Sequence, residues 1–418
     1  MSQPTPPPQA FRWNHATPAQ RRVVIAAALG WMLDAFDVML YSIVLATLMR
    51  VFAMNRTTAG LLNALTLIAS ALGGLLFGLL ADRFGRRRML ASSILIYSVF
   101  TFACGLSTNV LTLAIFRFLL GLGMGGEWNT GAALVAETWP TALRGRALAL
   151  VQSSWAIGYA LAAVVAELIL THAGWRWVFF AGLLPAILVF WIQTHVPEPP
   201  VWKRAHAAAQ PGERRRALGR SVRPLMLLTL ANTLGMFAWW GLFTWIPTYL
   251  ILPLTQGGRG FHTLGLTSFL LVLNLLGMLP GYLSFGFIAD RFGRRPAFVG
   301  YLACASLAVP MLASARQPSL ILFFATVAAF FGTGFFTGSG ILGSELFPTQ
   351  ARATALGISY NVARGLSALA PLTIGALSER HGLSWAFLAS AFAFAAAAIA
   401  GFFLPETLTQ KATVAPIP

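Results

Sequence analysis

Five ionisable side chains stand inside long apolar stretches of this sequence: Asp34, Asp37, Arg117, Glu127 and Arg364. An ionisable group in hydrocarbon costs at least about 2.5–3.5 kcal/mol on insertion scales, so each is a candidate for function. Asp34 and Asp37, spaced i, i+3, share one helix face. Two carboxylates so close in a low dielectric suit the uptake and release of a proton. Counting helical rise from residue 22, Asp34 lies about 18 Å and Asp37 about 22 Å from the first boundary, and Arg117 about 20 Å from the same side. A static Asp37–Arg117 pair between the first and fourth spans is therefore the alternative, and for Arg117 the counter-ion role is the simpler one. Glu127, in Gly125-Gly126-Glu127-Trp128, falls near the inner end of the fourth span, as a second proton site, a gate contact or a packing residue. Gly121, Gly125 and Gly126 are spaced to let another helix approach closely.

The elements that position these residues follow from composition. The chain has 418 residues, 57% hydrophobic and only 10% charged, with mean hydropathy +0.72, whereas soluble domains carry roughly 25% charged residues. Apolar runs of spanning length occur near 22–48, 57–80, 89–107, 110–134, 146–171, 175–196, 223–250, 263–288, 296–314, 319–342, 354–378 and 383–404. The fold class is thus all-α integral membrane, with twelve transmembrane helices, because the alternating pattern of a membrane barrel is missing.

A net charge of +17 would suggest nucleic acid in a soluble protein. Here 21 of the 29 Lys and Arg fall in the two tails and the even-numbered loops, six in the odd-numbered loops, and two, Arg117 and Arg364, within spans. That bias places both termini in the cytoplasm and argues against a nucleic-acid partner; the partners expected are the lipid bilayer and a small molecule. Cys104 and Cys304 each sit in an apolar run, and the six histidines fall in tails, loops or span ends, so no cofactor or metal is expected. Arginine-rich loops fit a bacterial inner membrane.

The chain repeats itself at an offset of 208 residues. Asp82-Arg83-Phe-Gly85-Arg86 returns as Asp290-Arg291-Phe-Gly293-Arg294, Glu137 with Arg144 as Glu345 with Arg352, and Pro197-Glu198 as Pro405-Glu406. The expected division is a disordered tail 1–21, a six-helix bundle 22–196, a linker 197–222, a second bundle 223–404 and a tail 405–418. An even number of spans per half makes the repeats parallel. Arg364 has no equivalent in the first half, where the offset places Ala156. Its planar fork suits bidentate binding of a carboxylate, and a salt bridge between the halves is the alternative. Gln152, Tyr159, Asn232, Asn274, Tyr360 and Asn361 lie at comparable depth, as ligand contacts or as helix-bridging polar groups. Trp155, Phe237, Trp239, Trp240, Trp245 and Tyr249 are candidates to wall an amphipathic ligand or simply to pack.

Two parallel six-helix repeats with the loop Gly78-x-x-x-Asp82-Arg83-x-Gly85-Arg86-Arg87 resemble the major facilitator superfamily of secondary transporters. Leu33-Asp34-Ala-Phe-Asp37, Arg117 through Trp128, Gln152 through Tyr159 and Tyr360-Asn361-Val-Ala-Arg364-Gly365 are similar to its sialate:proton, metabolite:proton and aromatic-acid:proton symporter families. The resemblance implies alternating-access symport of a small organic anion with protons, a substrate site between the halves, no enzymatic activity and a monomeric unit. It implies a gating ring of Asp82, Arg83, Arg86, Glu137 and Arg144 with Asp290, Arg294, Glu345 and Arg352. Proton-driven efflux is a rival, but the fifth span has Gly158 and lacks the Gly-Pro motif common in those antiporters. A neutral sugar is another, suggested by Pro197-Glu198 and Pro405-Glu406, yet the seventh span lacks paired glutamines. The short tails leave no room for the signalling element of a sensor.

Overall fold

The computed structural model describes residues 16–198, 219, 221–348 and 352–408. The side chains of Asp82 and Arg144, both expected in the gating ring, lie outside the described residues, as does most of the linker.

All regular elements among the described residues are helical. The first half holds α1 (Pro18–Val51), α2 (Arg56–Phe84), α3 (Arg86–Gly105), α4 (Val110–Thr138), α5 (Thr141–Leu170), α6 (Trp175–Ala181) and α7 (Ala186–His195). The second holds α8 (Val222–Ile251), α9 (Thr263–Val272), α10 (Leu279–Phe292), α11 (Arg294–Ser314), α12 (Pro318–Leu346), α13 (Arg352–Ser367), α14 (Leu369–His381) and α15 (Leu383–Phe402). Helix starts carry their own signals. Thr17 and Gln20 form a reciprocal cap on α1, Asn55 caps α2, and Asn109 with Thr112 caps α4.

Eleven helical segments are long and apolar enough to cross a membrane. The expected eleventh span, 354–378, is split between α13 and α14. Pro371 explains the break: it has no N–H for the carbonyl of Ser367, and its ring would clash there. Pro185 divides α6 from α7 in the same way, and a π-helical turn, Leu273–Met278, joins α9 to α10 ahead of Pro280. Large apolar side chains such as Leu79, Phe190, Phe287 and Phe392 point outward. That is unfavourable in water and expected where lipid is the solvent. The chain is a multi-pass membrane protein.

The duplicated loops fold alike. Gly85 and Gly293 separate α2 from α3 and α10 from α11 with φ of 103° and 104°, a conformation that explains glycine at both. The carboxylate of Glu198 accepts the Arg86 and Arg87 backbone N–H groups at the start of α3, and that of Glu406 those of Arg294 and Arg295 at the start of α11. Each cap satisfies orphan helix donors and sets negative charge at a positive helix end. Burial pushes the Glu406 carboxyl up, but N–H groups of Leu408, Arg294, Arg295 and Thr407 outweigh it and hold it below the usual carboxylate range.

Packing within the first half depends on close backbone approach. A Cβ on Gly125 would meet the Ser70 carbonyl oxygen at 1.9 Å, and one on Gly73 the Leu122 oxygen at 2.1 Å. The seam of α2 and α4 is therefore closed by glycines, as expected of Gly121 and Gly125.

Candidate functional site

Where the two halves meet near mid-depth, α1, α5, α8, α10, α12 and α13 line a narrow cavity with Trp31, Gln152, Trp155, Trp239, Trp240, Tyr282, Phe336, Tyr360 and Arg364. Its free volume is about 10 Å³, room for a single water, so an organic ligand fits only when the indoles part. Trp155 is the hinge of that aromatic set, 4.8 Å from Trp31 on its own half and 5.9 and 6.0 Å from Trp239 and Trp240 on the other (ring centroids).

Arg364 is placed by the last turn of α13, just before the break at Ala368, and is 2% exposed. Its Nε and Nη2 are buried without a protein partner. Those two donors form one edge of the guanidinium, the edge that grips a carboxylate with two parallel hydrogen bonds. Trp31 Nε1, Trp155 Nε1 and Gln152 Oε1 are likewise buried and unpartnered. Broken helices commonly frame substrate sites in transporters, because the free backbone needs a polar neighbour.

The acidic residues gather around the same arginine. Asp34, one turn after Trp31, is 1% exposed with neither carboxylate oxygen hydrogen-bonded. Arg364 lies within electrostatic reach of Asp34 and of Glu127, and Tyr360 feels all three. No ion pair joins these groups among the described residues. Glu127, near the inner end of its expected span, is 1% exposed, and α4 continues eleven residues beyond it to Thr138. It packs on α1, where a Cβ on Gly30 would stand 2.5 Å from its Oε1.

The Asp37–Arg117 ion pair is not present. Asp37 accepts from Thr101 Oγ1 at 3.0 Å, whereas Arg117 donates to Asn63 Oδ1 at 3.0 Å and lies 3.7 Å over the Tyr41 ring. Equal depth on two helices did not fix the rotation of each, and the π face of Tyr41 took the guanidinium instead.

Of the other expected contacts, Gln152, Tyr360 and Trp240 line the cavity, and Tyr159, Asn232, Asn274, Asn361 and Arg117 do not. Asn232 donates to Ser359 Oγ at 3.0 Å and bridges α8 to α13, and Asn274 donates to Leu270 O inside the π-helical turn. Asn361 faces Asn129 of α4 at 3.4 Å and fits against Gly74 of α2. Trp31, Tyr282 and Phe336 were missed; Trp31 carried a signal, the i, i+3 spacing from Asp34.

The two faces of the molecule differ. On the face that carries the chain ends, Arg86 pairs with Glu137 at 3.1 Å and Arg294 with Glu345 at 3.3 Å and with Asp290, all within one half. Arg352 donates to Phe347 O at 3.3 Å, and Arg83 lies over the Phe84 ring. On the opposite face the contacts cross between halves. Arg56 donates to Ser378 O at 2.8 Å and Gln256 O at 2.7 Å, Glu379 accepts the Thr57 N–H at 2.8 Å, and Asn63 donates to Thr244 Oγ1 at 3.0 Å.

The sequence model of the Major Facilitator Superfamily matches residues 27–258 and 250–418. The chain is 31% identical over 403 residues to the sialic acid transporter NanX of Escherichia coli, covering 94% of this chain and 96% of that protein. It is 30% identical over 394 residues to the cis,cis-muconate transport protein of Acinetobacter baylyi, covering 91% and 93%. A solved D-xylose-proton symporter matches with TM-score 0.75 at 21% identity, over 93% of this chain and 99% of that one, a likeness of fold.

Proposed function

Because the chain belongs to the Major Facilitator Superfamily of membrane transporters, we propose that it takes up a small organic anion together with protons by alternating access. Membership settles the coarser part: the protein is a transporter of small organic molecules and not an enzyme. The anion is the finer part. It rests on one observation, the buried edge of Arg364 offering Nε and Nη2 to a cavity between the halves. The named substrates of the two relatives, muconate and sialic acid, carry carboxylates, in keeping with that chemistry.

In this reading Arg364 anchors the carboxylate, and Trp155, Trp239 and Trp240 open to admit the rest of the ligand. Asp34, Asp37 and Glu127 carry the coupled protons. Asp34 and Glu127 lie within electrostatic reach of Arg364, which gives the coupling a physical route: an anion on the guanidinium and protons on the buried carboxylates keep the cluster near charge balance. Segments 22–196 and 223–404 rock against each other, and the Arg56, Thr57 and Glu379 contacts break when the opposite face opens. The charge bias of the loops supports an inner-membrane protein with both termini in the cytoplasm, working as a monomer.

The test is uptake of labelled muconate, sialic acid, benzoate and xylose into proteoliposomes under an imposed inward proton gradient. Gradient-stimulated uptake of an acid that Arg364→Gln abolishes supports the reading. Uptake of xylose alone would sink it.

A further inference from the structure

A second concavity, about 670 Å³, opens on the face opposite the chain ends and lies within the second half. Arg259 and Phe261 from the turn after α8, Ser314 and Arg316 at the end of α11, Pro318 at the start of α12 and Ser384 at the start of α15 line it. Among the described residues two guanidiniums face it and no carboxylate does.

Arg259 is held in place rather than left to the solvent. Its Nη2 donates to Ala315 O at 2.9 Å, which satisfies the carbonyl end of α11, and its guanidinium sits 4.9 Å over the Tyr249 ring. Its Nε is buried with no hydrogen-bond partner. Arg316 is exposed and lines the same opening. The helices α12 and α15 both begin here, and neither start has a side-chain cap. The positive end of each helix dipole, roughly half an elementary charge per helix, lies at these starts. The surrounding face repeats the sign, with Arg50, Arg56, Arg176 and Arg380 against Glu167 and Glu379.

We infer that this concavity is a separate anion-capture site, which holds a small organic carboxylate between Arg259 and Arg316 on the face opposite the chain ends. A capture site must let go. Two partly solvated guanidiniums suit that, with binding of roughly millimolar strength, and a basic mouth raises the local concentration of an anion arriving at low salt. Naming the captured carboxylate as the transported one rests on the function proposed above; anion binding itself does not.

The experiment is phenylglyoxal modification of the full-length protein in a neutral detergent, with each arginine followed by peptide mass spectrometry. Sodium benzoate is compared with sodium chloride at equal ionic strength. The site predicts that benzoate slows modification of both Arg259 and Arg316, that this protection persists in Arg364→Gln, and that Arg316→Gln loses it at Arg259. Equal labelling with either salt overturns the inference, and so does protection that vanishes in Arg364→Gln, which would trace it to the central cavity. Protection by phosphatidylglycerol nanodiscs but not by benzoate overturns it in favour of a lipid headgroup. If benzoate protects these arginines in a protein that transports no carboxylate, the capture site stands and the transport reading falls.

Discussion

Replacing Arg364 with lysine keeps the buried charge and removes the fork, so it isolates the geometric part of carboxylate binding. In the structure Nε and Nη2 form one uncommitted edge, and a carboxylate on that edge receives two charge-assisted hydrogen bonds. Lysine offers a point charge and directs one such bond to the same place. The loss is one charge-assisted bond, about 1.5–3 kcal/mol, or roughly a tenfold to hundredfold weaker Kd. Arg364→Gln removes the charge as well and weakens binding further. The assay is quenching of intrinsic tryptophan fluorescence on titration with the transported acid, since Trp155, Trp239 and Trp240 line the same cavity. Proton-driven uptake run in parallel shows whether KM follows. A Kd for Arg364→Lys within twofold of the parent would refute the bidentate anchor, whatever the uptake rate.

Other consequences are testable on the same preparation. Asp34→Asn combined with Asp37→Asn is expected to abolish acceleration of uptake by an inward proton gradient while leaving exchange of labelled for unlabelled substrate; gradient-driven uptake that persists removes both aspartates from the proton path. Gly125→Ala forces a Cβ to within 1.9 Å of the Ser70 carbonyl and should cost about 1–3 kcal/mol, seen as a lower melting temperature, whereas Gly78→Ala meets nothing within 4 Å and should be neutral or stabilising. Glu406→Gln should lower the melting temperature near neutral pH by loss of the α11 cap, about 1 kcal/mol. Because the folded carboxyl titrates below its ordinary value, the cap is fully present above about pH 4.3 and is lost as pH falls through the lower folded value, so parent and variant should converge in acid. Thr57→Val with Glu379→Gln should loosen the face opposite the chain ends, and a Thr244→Cys thiol should then react faster with an impermeant maleimide than in the otherwise unchanged protein.

The sequence was most readable where hydrocarbon imposes a single solution. Apolar runs and charge-bearing loops gave the helical class and the order of spans, since every backbone group in a bilayer must be satisfied within its own helix. Boundaries moved at one end only: Asn109 starts α4 at 110 as expected, but the helix runs on to Thr138, past the expected end at 134. Helix rotation was the harder quantity. Depth along two helices put Asp37 and Arg117 level, yet a rotation about either axis turns a side chain from a carboxylate to the Tyr41 ring. Polar residues showed the same limit, because Asn232 and Gln152 look alike in sequence, while one bridges α8 to α13 and the other faces the cavity. The duplicated Pro-Glu pairs were visible as a repeat, but their task was not. Glu198 and Glu406 reach back 112 residues to the N–H groups of Arg86 and Arg294, a contact that only the closed bundle creates.

In the proposed mechanism one organic carboxylate and protons move together through the cavity at Arg364. Internal pH should be recorded in proteoliposomes at zero applied voltage as each of a panel of small carboxylates is added outside, with empty liposomes and the Arg364→Gln protein as references. Acidification by at least one acid, beyond its passive leak and absent with Arg364→Gln, is the expected result. Silence across the panel from a well-folded protein, or acidification that Arg364→Gln leaves intact, would contradict it.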